Sequence, residues 1–195
     1  MDVEIRRLSP DLADDYVHFF DVTSHDQYVD AHKCYCVCWC ADDYEGKDFS
    51  TAEKRRTAAK RYVEQGIIQG YLAYYDEKPV GWCNANTKSE CLKCYSWRMF
   101  MKDVPVQDIA DGIKVKSVFC FVITPKMQRA GIATQLLNRV IADAKTDGFD
   151  CIEAYPNQSF ESISADFMGP VQMYKRLGFT ITGQTKQKYI MQKQL

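Results

Sequence analysis

The chain has 195 residues, 46% of them hydrophobic and 26% charged, a globular composition that suits a single domain over 1–195. A formal net charge of -1 argues against a general nucleic-acid or membrane-surface binder, and no apolar run reaches the ~20 residues that cross a bilayer. The acidic start Met1-Asp2-Val3-Glu4 lacks the basic and apolar regions of a signal peptide, so the expected location is cytoplasmic, with the nine cysteines, an odd number, kept reduced.

In chain order, the alternation of Val3 to Leu8 predicts a strand. Ser9-Pro10-Asp11 signals a helix start, and Leu12, Tyr16, Phe19 and Phe20 recur at helical spacing. A second helix is expected from Thr51 to Gln65, with Ala52, Ala59, Tyr62 and Val63 inward. Its basic side, Lys54, Arg55, Arg56, Lys60 and Arg61, reads as a solvated face, with phosphate binding as the lesser reading. Gly66 ends it. Tyr71–Tyr75 and Val80–Asn84 read as strands joined by the turn Asp76-Glu77-Lys78-Pro79. The stretch 86–111 is less regular, a flap or a packed excursion. Val115 to Thr124 is an apolar strand of the buried type, stopped by Pro125. Ile132, Leu136, Leu137, Val140, Ile141 and Ala144 form the clearest helical stripe, closed by Gly148. Cys151–Tyr155 is a strand, Gly169-Pro170 opens a short helix through Leu177, and Phe179–Gly183 with Lys188–Met191 make a final strand pair. The expected order is β-α-α-β-β-β-α-β-α-β-β.

Gln128-Arg129-Ala130-Gly131-Ile132-Ala133 lies between the buried strand and the amphipathic helix. A helix start carries unpaired N–H groups and partial positive charge, and small residues let a diphosphate approach the backbone. The segment is neither a Walker A loop nor G-x-G-x-x-G, and by itself it also reads as a tight strand-to-helix turn. Downstream stands Tyr174-Lys175-Arg176-Leu177-Gly178-Phe179.

With these two motifs, Gln/Arg-x-x-Gly-x-Gly/Ala after a strand ending near a proline, and Tyr-x-x-x-Gly-Phe after it, the chain resembles the GNAT superfamily of N-acetyltransferases. Glu153-Ala154-Tyr155-Pro156, Phe167-Met168-Gly169-Pro170 and Met173-Tyr174 are similar to a bacterial branch of it. The resemblance implies an α/β (α+β) fold: a mixed central sheet of six to seven strands, about four flanking helices, and two splayed central parallel strands, here ending at Thr124 and Tyr155. It implies acetyl-CoA as co-substrate and no metal. The backbone of Phe121, Val122 and Ile123 would hold the pantetheine arm. Gln128, Arg129, Ala130, Gly131, Ile132, Ala133 and Thr134 would hold the pyrophosphate, and Asn157 would touch the cofactor past the second strand. Segments 21–50 and 86–112 would form the acceptor side, with Tyr35 and Trp39 as walls for an apolar amine. The expected partner is a small-molecule amine, with no nucleic acid and no membrane, and a homodimer is left open.

The implied reaction is direct attack of a neutral amine on the thioester, which needs a proton acceptor and an acid for the leaving thiolate. Tyr174 matches the family tyrosine near the sulfur and is expected as that acid; ring packing is its other reading. An amide near Val122 would steady the carbonyl oxygen. No carboxylate lies on Lys116–Cys120, so Glu153, charged within an apolar strand, is the candidate base, against a structural ion pair or lip position. Cys120 and Cys151 are conceivable nucleophiles, and His18, His25 and His32 are expected in surface or cap roles. If Cys34–Cys40 is extended, all four of its sulfurs share one face and could hold a metal, or Cys91 and Cys94 could join two of them in one site; packed thiols are the competing reading. Beside the small-molecule acetyltransferase stand two alternatives: a peptide or protein acetyltransferase, and a non-catalytic CoA-binding or cysteine-based metal or redox sensor.

Overall fold

The computed structural model describes residues 2–23, 33–40, 46–162 and 165–195. Its strands are β1 (Glu4–Arg7), β2 (Gly70–Tyr75), β3 (Lys78–Thr87), β4 (Val115–Ile123), β5 (Cys151–Ala154), β6 (Thr180–Gln184) and β7 (Tyr189–Gln194). They form one sheet in the order β1-β2-β3-β4-β5-β7-β6. Every neighbouring pair is antiparallel except β4 and β5, which run parallel. The mixed sheet expected from the sequence is borne out.

The helices are α1 (Ala13–Val22), α2 (Ala52–Glu64), α3 (Lys88–Cys91), α4 (Tyr95–Phe100), α5 (Gln107–Ala110), α6 (Ile132–Thr146) and α7 (Val171–Arg176). A 3-10 turn, Pro10–Leu12, precedes α1. Thr51 caps α2, its hydroxyl accepting from the Lys54 amide at 3.2 Å. The basic face of α2 is solvated and paired: Arg56 bonds Asp21, Lys60 Asp14 and Lys54 Asp48. The stretch after β3 is three short helices rather than a loose flap, and β3 itself runs three residues beyond the expected Asn84.

The sheet carries a core on each face. One packs α1, α2 and the 35–40 turn against Trp82, Phe119 and Tyr155. The other packs α6 and α7 against Val118, Phe121 and Ile152. Between them β4 holds one extra residue. Asn84 pairs Cys120 and Ala85 pairs Val118, so Phe119 has no partner in β3. Phe119 and Cys120 consequently point into the same core, as at a β-bulge, and the strand bends there. Pairing with β5 runs only from Val115 opposite Cys151 to Val118 opposite Ala154. Beyond the bulge the two strands part.

The extended reading of Cys34–Cys40 is corrected. Tyr35 and Cys36 are left-handed, at φ 47° and 52°, and Val37–Trp39 is a 3-10 turn. The four sulfurs therefore do not line one face. Cys36 accepts from the Trp82 indole at 3.3 Å and Cys40 from the Asn84 amide at 3.2 Å, both as buried packing groups. Among the described residues, no three potential metal ligands cluster. His18 is exposed, whereas His25 and His32 lie outside the described residues.

Candidate active site

The gap between β4 and β5 exposes one edge of β4. Along a strand successive amides point to opposite sides. The Thr124 N–H donates to Val80 of β3, which sends the Val122 amide the same way, and Val122 sits opposite Trp82. The expectation for Val122 is thereby corrected: Phe121 and Ile123 turn their polar groups toward the gap. The Phe121 N–H donates to the Phe167 carbonyl at 2.7 Å, and the Ile123 carbonyl accepts from the Gln128 side-chain amide at 3.3 Å.

Beyond β4 the chain turns at Pro125 and reaches α6 through Arg129 (φ 63°) and Gly131 (φ 83°). Gly131 is the α6 N-cap, and a Cβ there would meet nothing within 4 Å. Residues 129–131 are exposed while Ile132, the first residue of α6, is buried; the amides of this first turn lack intrahelical acceptors. That is the condition a diphosphate needs.

Tyr174, on α7, is completely buried and edges onto Phe179, with ring centroids 5.2 Å apart. Its hydroxyl donates to the Met168 carbonyl at 2.6 Å, and burial pushes its pKa well above the ordinary tyrosine value. Segment 167–168 thus takes both the Phe121 amide and the Tyr174 proton. Gly169 permits the approach: at φ 86°, a Cβ there would come within 2.9 Å of Met173 and 3.3 Å of the Tyr174 hydroxyl.

On the other side of this segment lies a cavity of about 750 Å³. Trp39, Phe100 and Phe167 supply its aromatic wall, with ring centroids 6.4 Å and 6.3 Å from Trp39. Lys102, Lys186 and Lys188 together with Asp103 and Glu161 give it charge of both signs. Of the two expected walls, Trp39 is present and Tyr35 is not: Tyr35 is buried, and its hydroxyl donates to Asp21 at 2.8 Å. Asn157 lines the cavity and ties its rim. Its Nδ2 donates to Ala165 and Asp166, each at 3.1 Å, and its Oδ1 accepts from Lys188 at 2.9 Å. Burial lowers the Lys188 pKa.

Glu153 is buried on β5, 2.8 Å from the Lys88 ammonium, and its other oxygen accepts from Gln192 at 2.6 Å. Lys88 is also 2.7 Å from Asp108 and donates to the Pro105 carbonyl at 2.8 Å. The ion pair weighed for Glu153 is therefore present, and it fastens β5 to α3 and α5. Cys120 and Cys151 are buried, and burial raises the Cys151 thiol to about 11, which keeps it protonated near neutrality. Sequence reasoning named Phe167 and Met168 only within a family-like stretch and Lys188 only as a strand residue, and gave none of them a place at the site. Only the apolar pair Phe167-Met168 inside a polar loop carried any signal.

A sheet opened beside a helix start, with a cavity behind segment 167–168, is a geometry compatible with acyl transfer. A profile of the acetyltransferase (GNAT) family matches residues 35–179, and the chain belongs to that family. Solved structures agree in fold. A mosquito protein described as arylalkylamine N-acetyltransferase like 5b shares 13% identity over 100% of both chains, TM-score 0.62. The Drosophila melanogaster polyamine N-acetyltransferase, which forms N-acetylagmatine, shares 11% over 100% of both, TM-score 0.59. The PaiA N-acetyltransferase of Thermoplasma acidophilum, solved with coenzyme A, shares 14% over 100% of both, TM-score 0.53. No curated protein matches the chain. No helix among the described residues is long and apolar enough to cross a membrane.

Proposed function

We propose that the protein transfers the acetyl group of acetyl-CoA to the primary amine of a small molecule by direct attack. The observation that carries this reading is the β4 edge freed by the Phe119 bulge, running into the exposed amides before α6, in a chain of the GNAT family. The pantetheine arm would pair with Phe121 and Ile123. The diphosphate would rest on the backbone from Arg129 to Thr134, with Gly131 left-handed beneath it. The cavity's volume, about 750 Å³, lies in the range of small-molecule sites, which supports the small-amine acceptor.

In the reaction the amine nitrogen bonds to the thioester carbon, and the C–S bond breaks. The Phe121 N–H would steady the oxygen as charge gathers on it. Tyr174 would give its proton to the departing sulfur. Both groups are bonded to segment 167–168 here, so cofactor binding must exchange those two hydrogen bonds for its own. Cavity water takes the amine's proton in this reading. The ion pair with Lys88 favours a structural Glu153 over the base first considered.

The test is calorimetry with coenzyme A, followed by free-thiol release from acetyl-CoA across a panel of amines, corrected for the nine protein cysteines. Saturable binding and amine-dependent release are expected. No heat with coenzyme A overturns the acyltransferase reading. Binding without release from any amine overturns the catalytic part and leaves a CoA-binding module.

A further inference from the structure

Among the described residues two lysines are deeply buried, and only Lys88 has carboxylate partners. Lys88 is held by two carboxylates and a carbonyl. Lys116, in the first half of β4, is 3% exposed. Among the described residues its ammonium has neither a hydrogen-bond acceptor nor a carboxylate within ion-pair distance. Its near neighbour is the Phe149 ring, 5.0 Å away, a ring that Lys114 also contacts at 4.4 Å.

Lys116 faces a second cavity, of about 240 Å³, bounded by Arg7, Gln69, Gly70 and Tyr71. The Asp147 carboxylate beside it is already taken by the Arg7 guanidinium, 2.6 Å away in a two-pronged pair. Arg7 is half exposed and keeps further N–H donors. Tyr71 adds no negative charge, because burial raises its pKa far above neutrality. The cavity therefore carries one uncompensated positive charge on its inner side and a guanidinium on its outer side. The Lys116 residue is buried while its Nζ opens onto the cavity, and burial lowers its pKa. A small anion in the cavity would replace water at that ammonium and favour its charged form. The space is below the range of pockets that hold drug-sized ligands, but it holds a single oxyanion with water.

We propose that this cavity is a binding site for a small oxyanion, of phosphate or carboxylate type, gripped by Lys116 from within and by Arg7 from the surface. It lies at the opposite end of β4 from Phe121 and is independent of the acyl-transfer reading.

The purified protein would be titrated with inorganic phosphate and, separately, with acetate, at constant ionic strength, following melting temperature and heat of binding. A saturable rise in melting temperature with at least one anion is expected, and the stronger of the two identifies the ligand type. Lys116→Met removes the charge at similar volume and abolishes the rise, while coenzyme A still binds. Arg7→Gln weakens the anion roughly tenfold, the usual scale for losing a charge-assisted hydrogen bond. No saturable rise with either anion overturns the site, as expected of a neutral or merely hydrated Lys116. A rise that survives both substitutions also overturns it, because the anion would then sit elsewhere, such as at the amides before α6.

Discussion

At the scale of single residues, two side chains test the proposed chemistry. Tyr174 has its proton aimed at the Met168 carbonyl and a pKa pushed well above its ordinary value by burial. It stays protonated across the neutral range, as an acid for a thiolate must. Tyr174→Phe removes only the hydroxyl from a packed ring. Turnover is expected to fall by about 100-fold or more, the lower range for a lost general acid, with coenzyme A affinity little changed. Steady-state kinetics beside calorimetry check this, and full turnover removes the tyrosine from the mechanism. Glu153→Gln separates the two readings of the carboxylate. A structural role predicts a loss of up to about 3 kcal/mol in urea denaturation, moderated because Lys88 keeps Asp108, and an unaltered pH profile of kcat/KM. A base role predicts the reverse: held stability, with turnover down by about 100-fold and the acidic limb gone.

Elements show what a sequence can disclose and what it hides. The helices α2 and α6 were legible because one apolar stripe, a Thr51 cap and a closing glycine all agree. The 34–40 segment misled because alternating cysteines and large residues look alike in a strand and in a turn; only the backbone at Tyr35 and Cys36 differs. In β4 every residue from Val115 to Val122 is buried, so no polar alternation marks the extra Phe119 or which amides face the gap. Tyr174 was singled out by its motif, whereas its carbonyl partner Met168 comes from a loop without regular structure. At the α6 start, Gly131→Ala puts a side chain where φ is 83° and no atom blocks the Cβ. The substitution should cost about 1–2 kcal/mol of stability from backbone strain alone. It should also weaken coenzyme A as the amide cradle shifts, both readable by denaturation and calorimetry. Unchanged affinity argues that the cradle lies elsewhere.

For the molecule as a whole, the two cores share the sheet but differ in chemistry, and one is rich in thiols. Burial raises Cys151 to about 11 and Cys38 to about 12, from an ordinary value of 9.0. Above that ordinary value the unfolded chain gives up thiol protons that the folded chain retains. Stability is therefore full below pH about 9 and declines as pH rises toward 11 to 12. Urea midpoints under reducing conditions at neutral and alkaline pH check the sign, and Cys151→Ser should flatten part of the decline. One surplus residue has the widest reach. Without Phe119, Val118 and Cys120 would become ordinary neighbours, and every later side chain of β4 would keep its present face. Hydrophobic patterning would not register the change. The strand could then run straight and zip to β5 further along, leaving a folded protein without the gap proposed to admit the thioester. Insertions and deletions that surface loops absorb should be barred from this one position by activity rather than by folding.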